Sequence, residues 1–380
     1  MNYTKNILDS KVLLLLFFLF IAAVPRIPIV PATAGHSDSN GAWQAGVDWW
    51  NSGHYNPSRK PGAPVYEMSL GVLYAVVYKG LGFDKAKMYE PGTNEYYLFS
   101  NSLSVLCTAI TLFFFFLILR HFFSFEKSIL ATALLNFYPH MLVMGATTSD
   151  VIFLVLFMVL AFYAYLEKMP RLAIIFALLG AGSRMQGLAL VAPLVWEHLR
   201  NRFKKQDKYF FIEISWIALC TGLLFYPSIR AYGLTFFIQP YHKNIVGIKK
   251  LGAFIHRTFN LMGPIGTLTT AAILYRYRRK LTKIRPISQR NILVFYIWFF
   301  LFTMSLAPWE SFYLLALVPL FIFIVFFYGS RFTILIFSAS LLIGSFVQVH
   351  FKPWKWPPYR VLPGIVEAHL QENYIIRSGM

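Results

Sequence analysis

The chain has 380 residues, of which 57% are hydrophobic and only 13% are charged. Soluble domains carry about 25% charged residues, so this deficit and the repeated apolar runs exclude an ordinary soluble domain and predict an all-α, polytopic bundle of transmembrane helices. The formal net charge of +19 is explained by Lys and Arg in cytoplasmic loops and against anionic lipid headgroups. Without zinc-ligand spacing, a P-loop or an RNA-binding signature, nucleic acid is not expected as a partner.

The first apolar run covers residues 12–30 and follows two lysines, Lys5 and Lys11. Ala32-Thr33-Ala34 resembles a signal-peptidase site, so a cleaved signal peptide is one interpretation of this run. The run is long enough to span a bilayer, and many further apolar runs follow it. We therefore expect an uncleaved first helix that runs from the cytoplasm to the exterior.

The next segment, residues 31–97, is polar at first and rich in Gly, Pro and Trp. It is expected to form an outer loop. Within it, residues 65–81 are apolar but are interrupted by Glu67 and Lys79. This pattern predicts a helix that lies in the membrane interface. A membrane span is the alternative, but it would invert the charge bias of every later loop.

Three apolar runs follow at residues 98–119, 128–146 and 151–166. Pro139 lies inside the second of these runs and predicts a kink. The segment 171–197 could be one helix, but the Lys/Arg cluster at 200–208 would then lie outside, against the positive-inside rule. We therefore predict two short halves that are broken around Gly180–Arg184, which is tolerated where helices line a cavity.

The remaining runs complete the predicted bundle, for which the positive-inside pattern gives about eleven spans, some short or broken. They cover residues 209–226, 260–275, 291–307, 311–328 and 331–349, with an outer loop at 227–259. No internal repeat is evident. The predicted organisation is one membrane domain, residues 1–350, which includes the first outer loop, and an extracytoplasmic tail, residues 351–380.

Three motifs occur in order along the first 200 residues. The first is an aspartate after helix one, followed by a helix-like stretch, a small-Gly-aromatic group and a Lys-Pro segment. The second is a Tyr-Pro pair followed by Thr-Ser-Asp at the head of helix four. The third is a small-residue break with an arginine. The first motif comprises Asp38 and Trp43, Ser52-Gly53-His54-Tyr55, Lys60-Pro61, Pro64 and Tyr66. The second comprises Tyr138-Pro139 and Thr148-Ser149-Asp150, and the third comprises Gly180, Gly182, Arg184 and Gly187.

In this order the motifs resemble the GT-C superfamily of integral-membrane glycosyltransferases. That superfamily includes protein O-mannosyltransferases, the lipid A aminoarabinose transferase and the GPI mannosyltransferases. The likeness covers roughly residues 12 to 200, and the later half matches only in hydropathy. The resemblance implies a polyprenyl-phosphate-sugar donor and inversion of the anomeric centre.

Asp38 is the residue to which the resemblance gives the chemical role. A positioned carboxylate can remove the proton from the acceptor hydroxyl as that hydroxyl attacks the sugar, and so act as general base. The alternative is that Asp38 caps a helix that starts near Gly41, a position that Asp, Ser and Asn favour. Both interpretations can hold together.

Two further aspartates are candidate substrate-binding residues. Asp48 lies close to three helical turns after Asp38, and beside Trp49 and Trp50 it could bind sugar hydroxyls; otherwise it is a solvated carboxylate. Asp150 resembles the second acidic position of the superfamily, or it is a carboxylate that the helix dipole favours. No acidic pair clearly demands a metal, although Asp38 and Asp48 could hold a divalent cation.

The leaving phosphate requires positive charge, and Arg184 is the leading candidate. A cation at membrane depth is costly unless it is paired or functional. The alternatives for Arg184 are an ion pair with Asp150 or snorkelling to the interface. Further candidates on the same side, each of which could instead contact lipid headgroups, are Arg59, Lys60, His242, Lys243 and Arg257.

The sequence thus predicts an inverting glycosyltransferase at the extracytoplasmic face of a prokaryotic plasma membrane. It would move a mannose-like hexose or a pentose from a polyprenyl-phosphate donor to a hydroxyl of a glycan, lipid or protein. A flippase for lipid-linked sugars would explain the broken helices equally well, but it predicts inverted repeats. A glycan polymerase or ligase, or a non-catalytic subunit of an assembly complex, also remains open.

Overall fold

The computed structural model describes residues 2–30, 37–58, 62–82, 94–233, 262–263, 265–277, 315–343, 347–351 and 359–363. The helices before residue 150 are α1 (Asn2–Ala23), a 3₁₀ turn (Val24–Arg26), α2 (Ser37–Ser52), α3 (Pro64–Leu81), α4 (Asn94–Arg120), α5 (Phe125–Phe137) and α6 (Pro139–Met144). Those that follow are α7 (Asp150–Leu166), α8 (Pro170–Ser183), a second 3₁₀ turn (Met185–Gly187), α9 (Leu188–Lys204), α10 (Phe210–Tyr232), α11 (265–277), α12 (Val318–Tyr328) and α13 (Arg331–Ile343).

The predicted helical class is confirmed, with one small exception near the C-terminus. Strand β1 (Val347–Phe351) pairs antiparallel with β2 (Tyr359–Pro363), and Val347 lies opposite Pro363. The last helix was therefore predicted too long, at 331–349, because α13 ends at Ile343. β-Branched valines at alternate positions favour a strand there. The helix predicted at 291–307 lies outside the described residues.

Two described helices, Leu98–Arg120 and Phe210–Tyr232, are long and apolar enough to cross a membrane. Shorter apolar helices accompany them, at Val12–Arg26, Pro64–Val77, Asp150–Leu166, Pro170–Ser183, Leu315–Tyr328 and Arg331–Leu342. Helix α7 is the centre of the bundle, because it is apolar and buried almost all round and packs against α4 and α8. A helix without a polar face belongs in a core or a bilayer.

The helix predicted at 128–146 is divided into two at Pro139. Helix α5 ends at Phe137, Tyr138 is extended with φ −64° and ψ 128°, and α6 begins at Pro139. Proline has no N–H and disfavours the helical conformation of the residue before it. The expected kink is thus a complete break.

Arg26 holds this break from the end of the first helix. Its side chain is fully buried, and Nη2 donates to the carbonyl oxygens of Asn136 (3.3 Å) and Met141 (2.9 Å). Nη1 donates to Asn136 Oδ1 and to the Ala22 carbonyl, each at 2.8 Å. The arginine therefore satisfies carbonyls that a continuous helix would have paired, and it ties α1 to α5 and α6.

A second break, predicted at Gly180–Arg184, is also confirmed. Helix α8 ends at Ser183, and Arg184 is extended, with φ −158° and ψ 131°. The 3₁₀ turn then leads into α9. Gly187 allows the chain to fold back closely, because a Cβ there would collide with the backbone of Gly180 and Ala181. The break places Arg184 inside the bundle.

Helices α2 and α3 approach each other at two glycines. A Cβ on Gly46 would overlap the backbone of α3 at Glu67, and a Cβ on Gly71 would overlap the carbonyl of Gly46. Small residues at such crossings let helix backbones pack closely. Helix α2, which carries Asp38 and Asp48, is thereby fixed against α3.

Replacing Gly71 by valine is expected to separate α2 from α3 and to lower the free energy of unfolding by about 1–3 kcal/mol, as overpacking does. The measurement is thermal unfolding of the detergent-solubilised protein. Gly80→Val is the matched control on the same helix, because nothing lies within 4 Å of a Cβ added there. Equal losses in the two variants would contradict the close-packing argument.

Candidate functional site

The breaks and caps of α7 and α8 bring Asp150 and Arg184 together. Arg184 Nη1 donates to Asp150 Oδ1 at 2.6 Å and to Oδ2 at 2.7 Å. The Asp150 side chain is only 10% exposed and the Arg184 side chain only 9%. Asp150 is the first residue of α7, and the Ser149 hydroxyl caps that helix by accepting from the Val151 N–H. The ion pair, one of the interpretations that the sequence left open for Arg184, is thus observed.

A buried polar network fixes the turn before Asp150. The Thr148 N–H donates to Asn101 Oδ1 at 2.7 Å, and the Thr148 hydroxyl lies 2.5 Å from Ser100 Oγ. Asn101 Nδ2 donates in turn to the Val30 carbonyl at 2.9 Å. The turn is therefore tied both to α4 and to the end of the first apolar segment. This network was not predicted from the sequence. The signal for it was the pair of polar residues, Ser100 and Asn101, near the start of the apolar run 98–119.

Helix α2 begins at Ser37, so Asp38 lies in its first turn. The capping interpretation requires a helix that starts near Gly41, but the helix already starts four residues earlier, at Ser37, so Asp38 lies inside its first turn and not before its start. Asp48 lies further along the same helix, where its Oδ1 accepts from Gln44 Nε2 at 2.9 Å. The rings of Trp49 and Trp50, 6.1 Å apart, meet edge to face beside it. Asp38 and Asp48 are thus carried by one helix that is packed on α3.

Glu67 is a buried carboxylate that sequence reasoning did not select. It has no exposed surface, and it accepts hydrogen bonds from the Tyr55 hydroxyl, the Ser58 hydroxyl (2.5 Å) and the Ser58 N–H (3.3 Å). Burial, with the nearby Glu67 charge, raises the pKa of the Tyr55 phenol, so Tyr55 stays a donor. The sequence signal was an acidic residue inside the apolar run 65–81.

The loop between α2 and α3 is also held by α10. The Tyr232 hydroxyl donates to the Pro57 carbonyl at 3.2 Å. A Cβ added to Gly62, which has a positive φ of 90°, would lie 2.9 Å from Ser228 Oγ. Both ends of this loop are therefore anchored. The predicted cations Arg59, Lys60, His242, Lys243 and Arg257 lie outside the described residues.

Glu67→Ala is expected to release this loop and to lower the free energy of unfolding by about 1–3 kcal/mol, because the buried hydroxyl donors lose their acceptor. Tyr55→Phe removes one donor only and should cost less. Glu126→Ala, at an exposed acidic residue, is the control. Thermal unfolding gives the values, and faster proteolysis between residues 53 and 63 should accompany the Glu67→Ala loss. A Glu126→Ala effect as large as that of Glu67→Ala would contradict the assignment.

An apolar groove of 520 Å³ lies between α3, α4, α7 and α10. Its wall includes Phe153, one turn after Asp150 on α7. Val65 and Leu224 also line it, and a Cβ added to Gly182 would lie 2.6 Å from Val65 Cγ2 and 2.8 Å from Leu224 Cδ1. The groove continues between α3, α4 and α10 along Met68, Val72, Leu103, Leu106 and Ile110. The groove is therefore apolar, and part of its wall packs against the end of α8 that leads into Arg184.

Among the residues that the structure describes, no three His, Cys, Asp or Glu side chains come together as ligands for a metal ion. A divalent cation held by Asp38 and Asp48 remains an expectation from the sequence. The chemistry of the described site rests on an aspartate–arginine pair, an apolar groove and an aspartate-bearing helix.

No protein-family model matches the chain. No curated protein is significantly similar to it. Two solved structures are similar: ArnT from Cupriavidus metallidurans bound to undecaprenyl phosphate, with TM-score 0.54 and 14% identity over 87% of this chain, and the same protein in the apo state, with TM-score 0.50 and 12% identity over 90%. The chain spans 59% of the length of those chains.

At such identities the likeness establishes the fold. The apolar helices and this fold together indicate an integral membrane protein. The fold expected from the sequence motifs is confirmed at this level, since the chain has the fold of ArnT.

Proposed function

We propose that this protein is a GT-C-type glycosyltransferase that uses a polyprenyl-phosphate-linked sugar as donor. The observation that carries the proposal is the buried Arg184–Asp150 pair at a helix break, together with an apolar groove whose wall includes Phe153, one turn after Asp150. A buried cation and an apolar groove within one helical bundle suit a ligand with one phosphate and one long apolar chain. Undecaprenyl phosphate, which is bound to ArnT in one of the two similar structures, has this chemistry.

The reaction is a displacement at the anomeric carbon of the donor sugar. A bond forms between the acceptor oxygen and this carbon, while the bond from the carbon to the phosphate oxygen breaks and its electron pair leaves with the lipid phosphate. Asp38 takes the proton of the acceptor hydroxyl as general base. A single displacement inverts the anomeric centre.

Arg184 stabilises the negative charge that develops on the leaving phosphate, since a fixed cation in a water-poor site lowers this barrier strongly. Asp150 orients the guanidinium through Nη1. In turn the Thr148–Asn101 network holds the turn that leads into Asp150. Asp48 and the Trp49–Trp50 pair on α2 serve as sugar contacts.

The apolar groove holds the prenyl chain of the donor. Leu106→Trp should fill it and raise the KM for the donor about tenfold or more, which corresponds to a loss of about 1.4 kcal/mol of apolar contact. Leu130→Trp is the control, since Leu130 lies on the surface of α5 and is similarly exposed, 53% against 45% for Leu106. An unchanged KM in Leu106→Trp would place the chain elsewhere.

The membrane side of the site is assigned from loop charges. The loop that contains Ser58 would lie outside, and the turns that contain Gln206 and Ser288 would lie inside. Residues 1–350 are proposed as one membrane domain, and residues 351–380 as a tail on the extracytoplasmic side. Single cysteines at these three positions test the assignment, which fails if position 58 labels from the cytoplasm or if either of the others labels from outside.

The test of the function is sugar transfer by the purified protein in liposomes, with a panel of radiolabelled polyprenyl-phosphate hexoses and pentoses and with glycan, lipid and peptide acceptors. Transfer from one donor, with inversion of the anomeric centre in the product, would support the proposal and identify the sugar. Donor scrambling across the bilayer without transfer would favour a flippase instead.

A further inference from the structure

The apolar groove between α3, α4, α7 and α10 is short. Its wall runs from Pro64 to Val72 on α3 and from Leu103 to Ile110 on α4. At the rise of an α-helix these stretches measure about 10 to 12 Å. One leaflet of a bilayer contributes about 15 Å to the hydrocarbon core. The groove is therefore shorter than a single leaflet.

One end of the groove lies at the start of α3. There the ring of Tyr66 meets the ring of Phe153, one turn after Asp150 on α7, with ring centroids 5.0 Å apart. Val65 packs against the end of α8 that leads into Arg184. The start of α3 is thus the end of the groove that lies nearer to the ion pair.

The other end of the groove lies at Val72 on α3 and at Leu223 on α10. One turn further along the same faces come Val76 and Leu219, which are 62% and 61% exposed. Among the residues that the structure describes, these two belong to helices that wall the groove but do not line it themselves. The apolar surface thus continues beyond this end, but on the outside of the helices.

The groove is also open along one side. Phe153 and Cys107 form a buried floor, whereas Val72 and Leu106 on the rim are each 45% exposed. An apolar chain can enter past such a rim from the bilayer without passing a charged side chain. A chain that is longer than the groove can leave in the same way and continue among the lipids.

The volume of the groove limits how much of a prenyl chain it can hold. An engineered apolar cavity of about 150 Å³ holds one benzene, a ring of six carbons. On this scale the 520 Å³ of the groove corresponds to about twenty carbons, or about four isoprene units.

We propose that the protein selects its donor by about the first four isoprene units after the phosphate, and that Val72 is a specificity-determining residue because it lies where this contact ends. The occupant is the prenyl chain of the proposed donor, so the proposal rests on the proposed function. Units beyond the groove lie in the bilayer, which is as apolar as the groove and gives them no preference for either place.

The test is the binding of prenyl monophosphates of two, four and eleven isoprene units to the purified protein in nanodiscs. A ligand that binds only the folded protein raises the unfolding temperature by an amount that its affinity sets, so no sugar transfer is needed. Expressing concentration as mole fraction of lipid removes the stronger partition of longer chains into the bilayer. Affinity should rise about tenfold from two units to four through added van der Waals contacts, and by about twofold or less from four units to eleven.

Val72→Trp should fill the far end of the groove. It should weaken binding of the four-unit chain about tenfold, because the last units lose their contacts, and leave binding of the two-unit chain unchanged. Val76→Trp is the matched control, since Val76 lies one turn further on the same face and does not line the groove. It should leave the affinity for both chains unchanged.

Affinity that keeps rising from four units to eleven would overturn the proposal, because the protein would then hold the chain beyond the groove. Affinity that does not depend on chain length, or equal effects of Val72→Trp and Val76→Trp, would also overturn it. Sugar transfer is measured separately on the same preparations. Absence of transfer from every donor, with the expected length dependence of binding, would contradict the proposed function and leave the chain-length limit in place.

Discussion

Asp38→Asn is expected to lower the turnover of sugar transfer by about 10²- to 10⁴-fold, the usual contribution of a positioned general base. Asparagine keeps the size and polarity of the side chain but cannot take the acceptor proton. Donor binding should be retained, because the phosphate and the prenyl chain are bound elsewhere in the proposal. Initial rates and donor affinity, measured on the same preparation, separate these two quantities.

The same variant distinguishes catalysis from helix capping. Asparagine caps a helix about as well as aspartate, so a residue that only capped α2 would leave the rate unchanged. Asp48→Asn is the matched control on the same helix and should raise the KM for the sugar donor more than it lowers turnover. An Asp38→Asn enzyme as fast as the wild type would remove Asp38 from the mechanism.

The pH dependence gives a second readout of the base. In the wild type the rate should fall as the pH is lowered, because protonation removes the base from its active form. The residual rate of Asp38→Asn should lack this acid limb, because its side chain does not titrate. Rates measured from about pH 3 upwards, a range that includes the ordinary pKa of an aspartate of about 3.9, check this, and an unchanged acid limb in the variant would assign the titration to another group.

The parts of the fold that could be predicted from the sequence depend on local chemistry. An apolar run of sufficient length forms a helix, and the breaks at Tyr138-Pro139 and before Gly187 follow from backbone properties of proline and glycine. Helix ends were less well predicted. The helix expected at 209–226 continues to Tyr232 and so includes Arg230, because an apolar pattern does not show where a helix stops.

The parts of the site that could not be predicted depend on contacts between distant residues. Asn101 and Thr148 are 47 residues apart, and although Thr148 belongs to the Thr-Ser-Asp motif, nothing in the sequence marks Asn101 as its partner. In the sequence, Glu67 is only an acidic residue that interrupts an apolar run. Its role as hydrogen-bond acceptor for Tyr55 and Ser58 depends on the loop between α2 and α3 folding back on α3. The pairing of Asp150 with Arg184 was an open alternative, because nothing local fixes the register of α7 against the break after α8.

The Arg184–Asp150 pair can be separated into its structural and chemical contributions by a double replacement. Arg184→Met or Asp150→Leu alone should lower the free energy of unfolding by about 3–5 kcal/mol, because each leaves an uncompensated buried charge. The double variant should regain most of this loss, since replacing both charges with apolar groups is often neutral. Glu167→Gln, in the exposed pair of His121 and Glu167, should cost about 1 kcal/mol or less.

Sugar transfer should not follow stability in this series. If Arg184 stabilises the leaving phosphate, the double variant should stay inactive although its unfolding temperature approaches that of the wild type, because the cation that meets the phosphate has been removed. Thermal unfolding and transfer rates on the same samples decide the matter. A double variant that regains both stability and transfer would reduce Arg184 to a partner of Asp150, and the leaving phosphate would then need another cation.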